Sequence, residues 1–103
     1  MKRYRQIRVS ELAKKELELI KDYTLKEWGK TQAQKYFSKI KIGFSSLREN
    51  PALGKSREEV SAGLFSYPVE KHIIFYRLTP AAMIVVRILH RRMDIPSILG
   101  VKS

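Results

Sequence analysis

At 103 residues the chain has the length of one domain, and a domain of that size buries only roughly 60 to 70 per cent of the surface its unfolded form exposes. It has no cysteine, which excludes disulfides and thiolate metal sites and suits a reducing cytoplasm. With 21 Lys and Arg against 10 Asp and Glu, a formal +11, it favours a polyanionic partner: nucleic acid, a nucleic-acid enzyme or a strongly acidic protein.

The start, Met1-Lys2-Arg3-Tyr4-Arg5, is basic but leads into no apolar stretch of signal-peptide length. The longest apolar run, Ala81 to Val86, falls far short of the roughly 20 residues of a spanning helix. Neither an export signal nor a membrane contact is expected. Tyr4 to Val9 places Ile7 and Val9 at period two and reads as a first strand. Ser10 offers a side-chain oxygen to cap a helix from Glu11 to Trp28. Its apolar positions Leu12, Ala13, Leu17, Ile20 and Tyr23 make one stripe. Gly29 supplies the stop, and Thr31 is a candidate cap for a second helix, Gln32 to Glu49, with Ala33, Tyr36, Phe37, Ile40, Phe44 and Leu47 on its stripe. So short a connection predicts an antiparallel helical hairpin. Within residues 11 to 28 five acids meet four bases, so the basic field surrounds one nearly neutral helix.

Asn50-Pro51 closes the hairpin, because proline disfavours helix in the residue before it. Residues 52 to 63, with Gly54, Ser56, Ser61 and Gly63, read as a surface loop and the most mobile part of the chain. Strands follow over Leu64 to Val69, His72 to Leu78 and Ala82 to Leu89, joined at Glu70-Lys71 and Thr79-Pro80-Ala81. The fold class is α+β, in the order β-α-α-β-β-β over a single domain (1–103), with the helical hairpin packed on an antiparallel sheet. The last two strands are apolar at odd and even positions alike, whereas a hairpin with one wet face should alternate. An exposed apolar patch is therefore expected on the second face, covered by a partner unless the loops or the tail from Ile95 to Leu99 fold back over it.

The residues also resemble a known family. The runs Ala13-x-x-Glu16-Leu17-x-x-Ile20-x-x-Tyr23, Trp28-Gly29-x-x-Gln32-Ala33-x-x-Tyr36 and Phe44-x-x-Leu47-x-x-Asn50-Pro51-x-x-Gly54 match the pattern of ParE toxins in the ParE/RelE superfamily. So do Gly63-Leu64-x-x-Tyr67-Pro68-Val69, His72-x-Ile74-Phe75-Tyr76-Arg77 and Arg87-Ile88-Leu89-His90-x-x-Met93-Asp94. The resemblance covers residues 4 to about 99. It implies the fold just read and a type II toxin that inhibits DNA gyrase until a ParD-like acidic antitoxin, wrapped along sheet and hairpin, neutralises it. An acidic partner would exploit the +11 charge by raising its association rate. Under this reading Arg87, His90, Arg91, Arg92 and Met93 form the target-facing patch. Phe65, Tyr67, Ile73, Phe75, Arg77, Val85 and Leu89 form the antitoxin groove. Many relatives carry arginine two residues after the glycine of Gly63-Leu64; here Phe65 stands there and adds aromatic surface.

The alternatives are a RelE-like ribosome-dependent messenger RNA endoribonuclease and an inactive remnant that only binds its antitoxin. Ribonuclease chemistry needs a base for the 2′-hydroxyl, cations for the phosphorane and an acid for the leaving oxygen. The RelE pattern supplies basic residues on the sheet, an arginine after the last strand and a tyrosine in the C-terminal segment. Here Ile95 to Ser103 holds no tyrosine, and only Arg91 and Arg92 fit. His72 and His90 suggest an acid–base pair. Yet opposite positions summing to 160 or 161 would set their backbones roughly 7 to 9 Å apart. No catalytic residue, metal site or cofactor is therefore expected. Arg77, Arg87, Arg91 and Arg92 lack interleaved aromatics, so direct nucleic-acid binding is not expected either.

Overall fold

The computed structural model describes residues 6–100. In order the elements are β1 (Gln6–Val9), α1 (Glu11–Glu49), a 3-10 turn (Pro51–Leu53), β2 (Lys55–Ser56), β3 (Phe65–Val69), β4 (His72–Leu78), β5 (Ala82–His90) and a one-turn α2 (Ile95–Ile98). Tyr4 and Arg5 of the expected first strand lie outside the described residues. Ser10 caps α1 as read: its Oγ accepts from the Ala13 N–H at 3.0 Å while its hydroxyl donates to Val86 O at 2.8 Å.

Gly29 alone leaves helical geometry within α1 (φ 84, ψ 173), a left-handed φ that glycine adopts without the Cβ penalty. The break is thus one residue, and Thr31 lies inside the second half rather than capping it. The two halves run antiparallel. Ser10 touches Val86 and Glu16 touches Ile88, so the first half advances toward His90; Tyr36 meets His72, and the chain after the second half returns to Tyr76 through Pro51.

The sheet order is β1-β5-β4-β3-β2. β3, β4 and β5 form the expected antiparallel meander, but β1 pairs with β5 in parallel. The long crossover through α1 permits that direction, which a tight turn would forbid. The β4–β5 ladder runs His72 opposite His90 and Phe75 opposite Arg87, then Tyr76 opposite Val85, so Val86 is an extra residue at a bulge. Neither register drawn from the sequence includes that extra residue.

One core lies between α1 and the sheet. Ala13 and Ile20 from the first half, and Ala33, Ile40 and Leu47 from the second, are buried at seven-residue steps, the first pair and Ile40 and Leu47 sharing a cluster with Val69, Ile74, Tyr76, Met83, Val85 and Ile88. Full burial of each large aliphatic contributes about 1.5–3 kcal/mol. This stripe is narrower than the sequence suggested: Leu12 and Tyr23 face outward at 55% and 58% exposure. Gly43 permits close approach, because a Cβ there would lie 2.8 Å from Val69 Cγ2.

The second sheet face is covered by the chain itself. Leu64, Phe75, Leu89 and Ile95 are buried together, with Val60, Ile73, Val86 and Leu99 packed around them. The expectation of an open apolar face is thereby corrected, in favour of loop and tail folding back. The segment 52–63 is also more ordered in its hydrogen bonding than a free loop. It contains β2, Arg57 donates its backbone N–H to Leu64 O at 2.7 Å, and the Arg77 guanidinium donates to Ala62 O and Ser61 Oγ.

Candidate functional site at the hairpin tip

The antiparallel register brings the first residue of β4 and the last of β5 side by side. His72 and His90 rings stand edge to face with centroids 5.2 Å apart, so the separation expected from sequence is corrected. The Val86 bulge supplies the missing step of register. Tyr36, from the second half of α1, places its Oη 2.6 Å from His72 Nδ1 and accepts the Lys71 backbone N–H at 3.1 Å. The Tyr36 hydroxyl proton has no other acceptor among the described residues, so it is assigned to His72 Nδ1, which leaves the imidazole proton on Nε2. His90 Nδ1 accepts the Arg92 backbone N–H at 3.1 Å, giving the same tautomer.

Burial first, and the neighbouring His90 second, pull His72 down to about 4. It is therefore neutral at physiological pH. Burial pushes the Tyr36 phenol up from its usual value, against the lowering effect of the Lys71 N–H. Neither Nε2 has a hydrogen-bond partner among the described residues, and neither is sealed from solvent.

Around these rings lies a cleft of about 330 Å³, walled by Leu19, Ile20, Tyr23, Trp28, His90 and Met93 among others. Tyr23 and Trp28 meet edge to face at 6.1 Å, and the Lys71 ammonium lies 5.4 Å from the Trp28 ring centre. The cleft opens into a second hollow that shares Tyr23, Lys71 and His90 and adds Glu70, Arg91 and Arg92. Glu70 is paired with Lys39 at 3.0 Å. The Arg91 and Arg92 side chains pair with nothing among the described residues.

Of the expected target patch, the structure gathers His90, Arg91, Arg92 and Met93 here, with Met93 49% exposed. Arg87 departs from it. Its Nε and Nη2 both donate to Glu16 Oε2, at 2.9 and 2.7 Å, while Glu16 Oε1 accepts the Ile88 N–H at 2.8 Å. β1 leaves β5 unpaired beyond Val85, and Ser10 and Glu16 occupy that open edge instead.

The residues of the expected groove divide between two faces. Phe65, Tyr67 and Val85 belong to the helix-facing core, and Ile73, Phe75 and Leu89 to the opposite one. Phe75, Val85 and Leu89 are buried, so they offer no surface as the chain stands. Phe65 stacks on Tyr76 at 5.5 Å and serves packing as well as surface. Arg77 is engaged by the 61–62 turn. Glu16, Tyr36 and Trp28 were missed as site residues, although all three stand in the runs that carry the family resemblance. Among the described residues no cluster of His, Asp and Glu could hold a metal ion, and no helix is long and apolar enough to cross a membrane.

Comparison with known proteins gives the family and the fold. Residues 7–95 match the family model described as ParE toxin of type II toxin-antitoxin system, parDE. The chain is 35% identical over 88 residues to Toxin ParE1 of Mycobacterium tuberculosis, covering 84% of this chain and 90% of that one. It superposes on a chain of the chromosomal ParDE toxin–antitoxin system from P. aeruginosa with a TM-score of 0.73 at 18% identity, over 84% and 96% of the two chains. Against the toxin–antitoxin complex RelBE2 of Mycobacterium tuberculosis the TM-score is 0.65 at 20% identity, over 86% and 100%. These two likenesses concern the fold, whereas the family match spans nearly all the described residues, and the chain belongs to the ParE toxin family of type II toxin–antitoxin systems.

Proposed function

We propose that this toxin inhibits DNA gyrase by binding it, not by chemistry of its own, and that a ParD-like acidic antitoxin neutralises it. The observation that carries the reading is the pair Arg91 and Arg92, unpaired within the described chain and followed directly by exposed Met93, in a hollow that adjoins the cleft of exposed Trp28. Arginine and tryptophan are among the residue types that dominate binding energy at protein interfaces. The proposed target patch is His90, Arg91, Arg92 and Met93, with Arg87 holding the strand edge behind it. The antitoxin surface comprises the groove residues that stay partly exposed, Phe65, Tyr67, Ile73 and Arg77, which lie on both faces. An acidic segment would have to wrap the β3 edge to reach them all, drawn by the +11 field.

The endoribonuclease alternative gains from the meeting of His72 and His90 but lacks a poised pair. His72 is held neutral to about pH 4, below the range in which a general acid–base group works best near neutrality. Both Nδ1 atoms are already engaged.

The test is a supercoiling and cleavage assay with purified gyrase, ATP and relaxed plasmid. Loss of supercoiling with accumulation of cleaved plasmid is expected, with the double variant Arg91→Ala/Arg92→Ala at least tenfold weaker while retaining antitoxin binding. Unchanged gyrase activity would overturn the reading, and ribosome-dependent RNA cleavage in a parallel translation assay would replace it. Loss of antitoxin binding in the double variant with inhibition intact would reverse the two surface assignments.

A further inference from the structure

The hairpin-tip cleft brings rings, hydrogen-bond donors and cations together in one place. Its walls are aromatic rings at right angles, Tyr23 against Trp28 and His72 against His90. It contains two accessible imidazole N–H groups with no partner among the described residues. Its mouth carries three cations, Lys71, Arg91 and Arg92, and its one carboxylate, Glu70, is neutralised by Lys39. We propose that this cleft binds a nucleoside phosphate, with the base against Trp28 and Tyr23 and the phosphate held by Lys71, Arg91 and Arg92.

Each part of that ligand answers a specific feature. A base presents a π-face to rings of any sequence context and fits a cleft of about 330 Å³, near the lower end of ordinary ligand pockets. Base and ribose oxygens are acceptors, and the two Nε2–H groups are donors without use inside the chain. The phosphate is the only part that requires charge; Lys71 lines both the cleft and the adjoining hollow, where Arg91 and Arg92 stand unpaired among the described residues. A purely aliphatic anchor would displace water from both imidazole donors without replacing its hydrogen bonds. Along the sequence the arginines have no aromatic neighbours; the fold supplies them from α1.

Trp28 is the only tryptophan in the chain, so its fluorescence reports the cleft directly. The intact protein would be titrated separately with AMP, adenosine, inorganic phosphate and a 5′-phosphorylated trinucleotide. A saturable change with AMP is expected, at least tenfold weaker with adenosine or phosphate alone and weakening as salt rises. Arg92→Ala and His90→Ala should each weaken AMP at least tenfold with unchanged far-ultraviolet dichroism, whereas Lys41→Ala, which removes equal charge outside the cleft, should not.

A trinucleotide at least tenfold tighter than AMP would identify the end of a nucleic-acid strand as the source of the phosphate, and equal affinity a free nucleotide. Both outcomes support the site. No saturable response to AMP or trinucleotide would overturn it, as would equal responses to AMP and inorganic phosphate. A response only to an acidic peptide with a central leucine would also overturn it and give the cleft to a protein. The proposal shares His90, Arg91 and Arg92 with the proposed target patch, but the titration contains no gyrase and the gyrase assay reads no Trp28 fluorescence, so failure of one is distinguishable from failure of the other.

Discussion

At the Pro51 end of the β4 strand, Tyr76 is fully buried and its Oη donates to Pro51 O at 2.7 Å, beneath a Gly54 whose Cβ, if present, would lie 1.8 Å from that oxygen. At the other end of the same strand His72 is only half-buried, its Nδ1 takes one hydrogen bond from Tyr36, and its Nε2 takes none from the described residues. Both ends place an aromatic polar group between helix hairpin and sheet. One gives its proton to a carbonyl inside the fold and is tightly enclosed; the other keeps donors, cations and a cleft in reserve. Unused capacity at low packing marks the end that can meet another molecule, because buried polar groups are otherwise satisfied inside the fold.

That contrast can be broken hardest at the closed end. Gly54→Ala forces Tyr76 off its site and should cost about 3 kcal/mol, lowering Tm by at least roughly 10 °C in a domain of this size; a thermal melt with an unchanged midpoint would refute the tight fit. Between the two ends, Glu16→Ala leaves Arg87 without its carboxylate and the Ile88 N–H without its acceptor. Since the Arg87 and Glu16 side chains are only 22% and 15% exposed, a loss of about 2 kcal/mol is expected from urea unfolding. Glu16→Gln, which keeps an acceptor for Ile88, should lose less.

The open end is the more sensitive to pH. Folding lowers His72 from 6.5 to about 4, so the unfolded chain binds the extra proton in that window. The contribution of His72 is fully present above about 6.5 and falls as pH drops toward 4. Urea midpoints measured from pH 7 to 4 should fall more steeply for the native chain than for His72→Gln; parallel curves would show that His72 titrates normally. The smallest effect is at Tyr36. Tyr36→Phe removes the hydrogen bond to His72 Nδ1 and should cost about 1 kcal/mol in urea unfolding, while the His72 titration midpoint in an imidazole NMR series stays low because burial, its first cause, remains.

Much of this architecture was readable before any coordinates. Ser10, Gly29 and Asn50-Pro51 act through their own backbone and nearest neighbours, so cap, break and stop appear where the sequence puts them. The buried apolar side chains of both halves of α1 lie on the expected stripes, whereas buried Thr24 and Gly43 lie outside them, and the three meander strands form where expected. The stripe edges do not. Leu12 and Tyr23 look apolar enough for a core, but the heptad step Ala13–Ile20 turns them outward, and only the neighbouring sheet decides where the stripe ends. The site was half legible: His90, Arg91, Arg92 and Met93 are consecutive and stay together, whereas Tyr23, Trp28, Tyr36 and His72 reach them only through folding.

The sequence by itself determined β1, the two helical halves and the three meander strands in their order, the basic charge and the family, though not the 3-10 turn, β2 or α2, because periodicity, capping and composition act over a few residues at a time. Only the tertiary structure decided that β1 runs parallel to β5, that one extra residue at Val86 sets His72 against His90, that Arg87 belongs to Glu16, and that the chain covers its own second sheet face. The reason is common to all four. Each depends on groups far apart in sequence competing for one place, and which of them wins is a matter of packing and hydrogen-bond satisfaction that no local pattern records.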